Sequence, residues 1–341
     1  MNLTIDSKIS NVCSTNPKIF WATPSKEKII FAENNYIIKL IDSKTNEELQ
    51  SLYHDYEDIR LYPHSSQELK DSFALVLDRE QGVHKLNYKN FDEFEQSWKI
   101  KIDLVSVHKL DNKGKFWLGF SKNGKVSLLD TSNANLIVSS IETPGLGSQV
   151  CNSMKIKQKL TSNEQNKFTF LLFMENAFLA MLEIEIPNFE SNLNLTNNLI
   201  GILKVDLGKI SPEEMDYHLS FATNDENNCY FKSLKNKLFM FKTEKIIEKM
   251  TTMGKDKIFT FKDPGDAVVL FIPESDNDEI SRISQLSENS LLILTKTKSV
   301  YLFNKFTLKF TKYLLTETEK EIVDCLSGPE NTKTFLSLIH I

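Results

Sequence analysis

The sequence predicts an all-β protein, and three observations carry that prediction. Its 341 residues include 23 Phe but only 11 Gly and 9 Pro, and aromatic and β-branched side chains favour pleated, half-buried strands. A strand-turn-strand unit is legible at residues 115–130, where Phe116-Trp-Leu-Gly-Phe120 and Val126-Ser-Leu-Leu129 flank Asn123-Gly124. Units of the same kind recur about 40–60 residues apart along the chain, a spacing near or above the period of propeller blades.

In chain order, Leu3, Ile5 and Ile9 mark a short first strand. In a circular fold it belongs beside the last strand. Residues 28–42 place two apolar strands around Glu33-Asn34-Asn35, and residues 73–88 repeat the unit with a turn at 78–82. In the central unit, Asn123-Gly124 is expected to supply the two positive φ angles of a type I′ hairpin. Residues 168–173 and 177–186 make a fourth unit, between polar stretches at 155–167 and 187–198 that read as long surface loops. A fifth spans 229–241 and turns at Lys235-Asn236. Short strands at 257–261 and 267–272 flank Asp263-Pro-Gly-Asp266, and residues 290–304 make the sixth clear hairpin.

Each propeller blade is a four-stranded sheet, so each hairpin reads as the best-patterned half of one blade. The neighbouring strands fall in weaker runs such as 104–110, 137–141 and 313–315. The expected fold is a single domain over residues 1–341, a six- or seven-bladed β-propeller whose closure protects its sheet edges. A few short helical insertions are expected, at 243–253 and around 90–98. The sequence ends in the strand-like Ser337-Leu-Ile-His-Ile341.

Composition narrows the function. A charged fraction of 26% and an apolar fraction of 40% are those of a globular protein. A net charge of −5 and a pI near 5.8 argue against a surface wholly built for phosphate backbones, and leave room for a local basic patch. Cys13, Cys151, Cys229 and Cys325 lie far apart with no C-x-x-C pair, the pattern of reduced thiols in the nucleus or cytosol. The N-terminus lacks the basic start and apolar run of a signal peptide. Residues 168–186, the most apolar segment, carry Glu175, Asn176, Glu183 and Glu185, too polar for a bilayer span. No membrane insertion is expected.

The chemistry-bearing residues form no enzyme signature. His54, His64, His84, His108, His218 and His340 lack ligand spacing and read as surface or strand histidines. Gly145-Leu-Gly147 lacks the third glycine of a dinucleotide loop and reads as a turn. Acidic runs at 274–279 and 55–58 read as solvated loops, because a calcium loop needs a central Gly and a late Glu. No catalytic, metal or cofactor residue is assigned. Lys155, Lys157 and Lys159, and again Lys296 and Lys298, alternate as strand residues do. Such rows suit either phosphates, hence RNA contact, or a solvent-facing sheet edge where lysine discourages aggregation. Trp117 reads as core, whereas Trp98, after Asp92-Glu-Phe-Glu95, reads as a candidate partner anchor.

Two hairpins end in an apolar pair and an aspartate, Leu40-Ile41-Asp42 and Leu128-Leu129-Asp130. With the hairpin spacing, this resembles a divergent WD40 repeat, without its Trp-Asp dipeptides or Gly-His pairs. The resemblance is to the propellers that open large eukaryotic scaffold subunits of the small-subunit processome, nucleoporin or tethering-complex type. It implies a non-catalytic scaffold that binds other protein subunits and, because such propellers often precede helical repeats, that the chain is the N-terminal part of a longer protein. The expected setting is the nucleus or nucleolus, ribosome biogenesis first, with nuclear pore or vesicle tethering next and the cytoplasm as the alternative. Two other classes compete. One is a propeller hydrolase using channel carboxylates; the other binds peptides or phosphoinositides, for which paired arginines would speak, but Arg60, Arg79 and Arg282 stand apart.

Overall fold

A computed structural model describes residues 4–9, 18–21, 28–33, 37–42, 45, 47–56, 59–64, 66, 71–78, 80, 82–160, 166–175, 178–186, 193–205, 228–232, 237–253, 258–261, 267–271, 280–287, 290–297, 299–313, 321–327 and 334–340. After β1 (Thr4–Ile9), an antiparallel sheet is built from β2 (Lys18–Trp21), β3 (Lys28–Glu33), β4 (Ile37–Asp42) and β5 (Glu48–Tyr53). The pattern repeats with β6 (Arg60–His64), β7 (Phe73–Leu77), β8 (Gly82–Asn87) and β9 (Gln96–Lys99). It repeats again with β10 (Leu104–Lys109), β11 (Phe116–Ser121), β12 (Val126–Asp130) and β13 (Ile137–Ile141).

A larger sheet follows from β14 (Val150–Leu160), β15 (Asn166–Met174), β16 (Phe178–Ile186) and β17 (Thr196–Val205). Next come β18 (Asn228–Lys232), β19 (Lys237–Lys242), the helix α1 (Thr243–Met253), β20 (Ile258–Phe261) and β21 (Ala267–Phe271). Then β22 (Ile280–Ser287), β23 (Ser290–Thr295), β24 (Val300–Asn304) and β25 (Lys309–Tyr313) form a further four-stranded sheet. Finally β26 (Glu321–Ser327) pairs with β27 (Thr334–His340), which pairs in parallel with β1. The first strand does lie beside the last. This is an all-β fold of propeller type, with seven sheets among the described residues.

The hairpins legible in sequence are mostly the middle pairs of these sheets: β3–β4, β7–β8, β11–β12, β15–β16 and β23–β24. The reason is burial on both faces. Every residue of β7, β11, β12 and β23 is buried, so these strands read as continuous apolar runs rather than alternating ones. The outer strands β5 and β13 are half exposed and carry Glu, Gln and Ser, which blurs their signal.

The chain divides into two compact units, residues 1–101 with 281–341, and residues 102–280. In the first, Ile30, Ile38, Leu61, Val76, Leu86, Tyr88 and Phe91 share one core. In the second, Phe120, Leu128, Phe168, Phe170, Leu172 and Ile184 do. The helix was expected at 243–253 and is found there; it buries Thr243, Ile246 and Met250, spaced as one helical stripe. It lies so close to β17 that a Cβ on Gly201 would stand 2.9 Å from the backbone oxygen of Met250.

Several expectations are corrected. Asn123-Gly124 is not a type I′ turn, because only Gly124 has positive φ, at 82°. Gly124 N donates to Ser121 O and Ser121 N to Lys125 O, a three-residue loop closed by a left-handed glycine. The Asn123 side chain accepts from Lys125 N, so that asparagine works by hydrogen bonding rather than by adopting positive φ. Residues 90–98 make bends and then β9, not helix, and residues 155–160 belong to β14 rather than to a loop. The two short strands expected at 257–261 and 267–272 are present as β20 and β21, of which β20 joins β17 in parallel and β21 joins β19. The turns at Asn34-Asn35 and Lys235-Asn236 lie outside the described residues.

Candidate functional site

The lysines singled out by spacing are placed differently from one another. On β14 the register with β15 shifts between Lys155 and Lys157, so Lys155 is opposite Phe170, Lys157 opposite Thr169 and Lys159 opposite Lys167. Cross-strand partners share a face, and a one-residue shift changes that face. Lys155 therefore falls with the core residue Phe170. Lys155 is half-buried, and its Nζ donates to Lys109 O at 3.5 Å. Burial first, and the Lys109 charge second, hold its pKa below the ordinary lysine value. The side chains of Lys157 and Lys159 lie outside the description; across the sheet, Lys167 is ion-paired to Glu183 at 2.8 Å and Glu185 at 3.3 Å. Lys296 is exposed in the β23–β24 turn, where strand alternation does not apply, and Lys298 lies outside the described residues.

A polar cluster missed in the sequence sits at the β7–β8 turn. Asp78 Oδ1 accepts the Gly82 N–H at 2.8 Å, and Asp78 Oδ2 lies 2.8 Å from His84 Nε2. The other ring nitrogen, Nδ1, lies 2.8 Å from Ser97 Oγ on β9. Tyr56 stacks on His84 with centroids 4.1 Å apart, and Phe94 tilts against it at 4.9 Å. Burial pushes His84 below the usual histidine pKa, against the upward pull of Asp78. Both nitrogens are engaged within the fold, so His84 acts as a strut joining turn to outer strand. His54, stacked on Tyr56, accepts the Tyr56 N–H at Nδ1, and its Nε2 finds no partner among the described residues.

A second cluster bridges β10 and β14. Ser106 Oγ and Ser153 Oγ are 2.5 Å apart, and Ser153 Oγ is 2.7 Å from His108 Nε2. The ring packs against Phe120 and Phe170. Burial, followed by the Lys155 charge, pushes His108 down to about 4. Serine beside a neutral imidazole has the chemistry of an activated nucleophile. Both hydroxyls are buried, so here the pair ties two strands together.

The exposed large apolar side chains among the described residues are Leu49, Tyr53, Phe306 and Leu308. Leu49 and Tyr53 lie on the outer strand β5, and Phe306 and Leu308 lie in the β24–β25 turn. Trp98, expected as an exposed anchor, is 6% exposed on β9 opposite Val83. It is a core residue. Trp117 is buried as expected, its Nε1 donating to Gly114 O at 2.7 Å, and Gly145 and Gly147 do form a turn, both with positive φ.

The acidic run at 274–279 and residues 57–58 lie outside the described residues, while Asp55 is exposed. Among the described residues, no three His, Cys, Asp or Glu side chains converge to hold a metal ion. No helix there is long and apolar enough to cross a membrane. No family model matches the sequence, and no curated protein matches it. Among solved structures, the chain is similar to the crystal structure of BamB from Moraxella catarrhalis. The TM-score is 0.45 at 9% identity, covering 90% of this chain and 75% of that chain.

Proposed function

We propose that this chain is a non-catalytic scaffold that holds other protein subunits within a multi-subunit eukaryotic complex. A nuclear assembly comes first, ribosome biogenesis ahead of nuclear pore or vesicle tethering. The observation that supports this reading is how the side chains are used. Asp78, His84, Ser106, His108 and Ser153 spend polar atoms on partners inside the fold. Tyr53 and Phe306, 73% and 77% exposed, stand on an outer strand and a turn tip. Large exposed aromatics concentrate binding energy when a partner covers them, and rigid sheets present them without an ordering cost.

The test is purification of the tagged full-length protein from its native cells, with the co-eluting proteins identified and their stoichiometry measured. One stable stoichiometric set is the expected result. A lone monomer that hydrolyses a glycoside or peptide would replace the scaffold with the hydrolase alternative. RNA contact through Lys155, Lys157, Lys159, Lys296 and Lys298 remains the lesser reading. Unchanged RNA affinity after Lys→Glu substitution at these positions would remove it.

A further inference from the structure

We infer that the β24–β25 turn is a preformed knob whose Phe306 and Leu308 enter an apolar pocket rimmed by carboxylates on a partner protein. This rests on the scaffold reading and names one of its contact points. Three observations converge on residues 304–312.

The first is construction. Asn304 Oδ1 accepts the N–H groups of both Phe306, at 3.0 Å, and Thr307, at 2.9 Å. Below the turn, Phe303 is fully buried and meets Phe310 across the strands at a centroid distance of 4.9 Å. The loop is thus fixed to the core at its base and braced at its tip. The second is strain. Leu308 has φ 53°, the left-handed region in which a bulky L-residue is disfavoured and Gly or Asn is normally found. Leu308 is nonetheless 37% exposed, so a substantial part of this strained leucine is left facing outward. Strain kept at an exposed turn points to a use outside the fold.

The third is charge. Lys305 and the exposed Lys309 flank the two apolar residues along the chain, and residues 304–313 contain no Asp or Glu, in a protein of net charge −5. An apolar turn tip flanked by lysines is complementary to a concave apolar site rimmed by carboxylates. A bilayer would accept the same residues, but gains nothing from a braced turn. A nucleic-acid base would stack on Phe306 and leave Leu308 without a role. A preorganised knob lowers the ordering cost only for a partner that is itself shaped to receive it.

The experiment places p-benzoylphenylalanine at position 306 of the full-length protein in native cells, irradiates, and sequences the cross-linked peptide. The expected product is one protein, joined at a peptide that combines apolar residues with Asp or Glu. Its yield should fall about tenfold or more in the Lys305→Glu/Lys309→Glu variant and recover when the partner carboxylates are reversed to Lys. Cross-links to lipid, to RNA, to many unrelated proteins, or to nothing would overturn the proposal. So would a yield indifferent to the charge reversals. In parallel, Phe306→Ser is purified with its co-eluting proteins. Loss of one subunit, at an unchanged melting temperature, is the expected result. An intact stoichiometric set would overturn the knob and leave the scaffold standing; failure of the wild type to bring down any set would remove both.

Discussion

Asp78 bridges its turn twice, through one oxygen to the Gly82 amide and through the other to His84 Nε2, each at 2.8 Å. Asp78→Ala removes both bonds and leaves a buried imidazole nitrogen unpaired, which costs about 2–4 kcal/mol. Asp78→Asn retains an acceptor for Gly82 and should cost roughly half as much. Urea denaturation of the two variants measures the difference. A loss below about 1 kcal/mol for the alanine variant would mean that the turn is held by other contacts.

Stability should fall on mild acidification, because three histidines are held below their ordinary pKa: His54, His84 and His108, each by burial first. A group whose folded pKa is depressed stays neutral in the fold while the unfolded chain takes up the proton. These histidines cost nothing above the unfolded value of 6.5, and destabilise progressively as pH drops towards the folded values. His108, at about 4, contributes a loss of about 2 kcal/mol between pH 6.5 and 5. Denaturation curves at pH 7.5 and 5 check this. His108→Gln should flatten the dependence, and an unchanged slope would contradict the buried, neutral assignment.

What was legible in the sequence follows from where each residue ends up. The middle strands β7, β11, β12 and β23 are apolar throughout because they are covered on both sides, so their hairpins stood out. The Asp78–His84–Ser97 bonds did not, because spacings of six and thirteen residues match no local motif and depend on a turn and an outer strand folding back. The register shift on β14 between Lys155 and Lys157 was hidden for a local reason: such a shift carries no composition signal. Phe306 stood in plain view in Lys305-Phe-Thr-Leu-Lys309. Composition alone does not distinguish an exposed aromatic from a buried one.

Trp98 offers a direct check of that correction. If it fills the blade, as its burial opposite Val83 indicates, Trp98→Ala costs about 3–5 kcal/mol. A thermal melt decides the matter. A variant with wild-type stability and a lost partner would return Trp98 to the role of exposed anchor.

Helix α1 depends on the missing side chain at Gly201. An added Cβ would stand 2.9 Å from Met250 O and 3.4 Å from Met250 Cα, both backbone atoms that cannot swing away. Gly201→Ala must therefore displace the helix from β17, at a cost of about 1–3 kcal/mol. Gly201→Val should be worse. A neutral alanine variant in denaturant titration would show that the helix does not sit where it is placed here.

Leu308 sets stability against use. Glycine takes a φ of 53° without the steric penalty that leucine bears. The relieved strain of about 1–2 kcal/mol exceeds the entropy glycine adds to the unfolded chain, about 0.5–1 kcal/mol, so Leu308→Gly should hold or slightly raise stability even though it deletes an apolar side chain. The same change removes half of the apolar tip, so cross-linking from position 306 should decline while stability does not. These separate responses distinguish a functional residue from a structural one. If Leu308→Gly instead lowers the denaturation midpoint, the leucine is packing against the fold, and its left-handed conformation is explained without a partner.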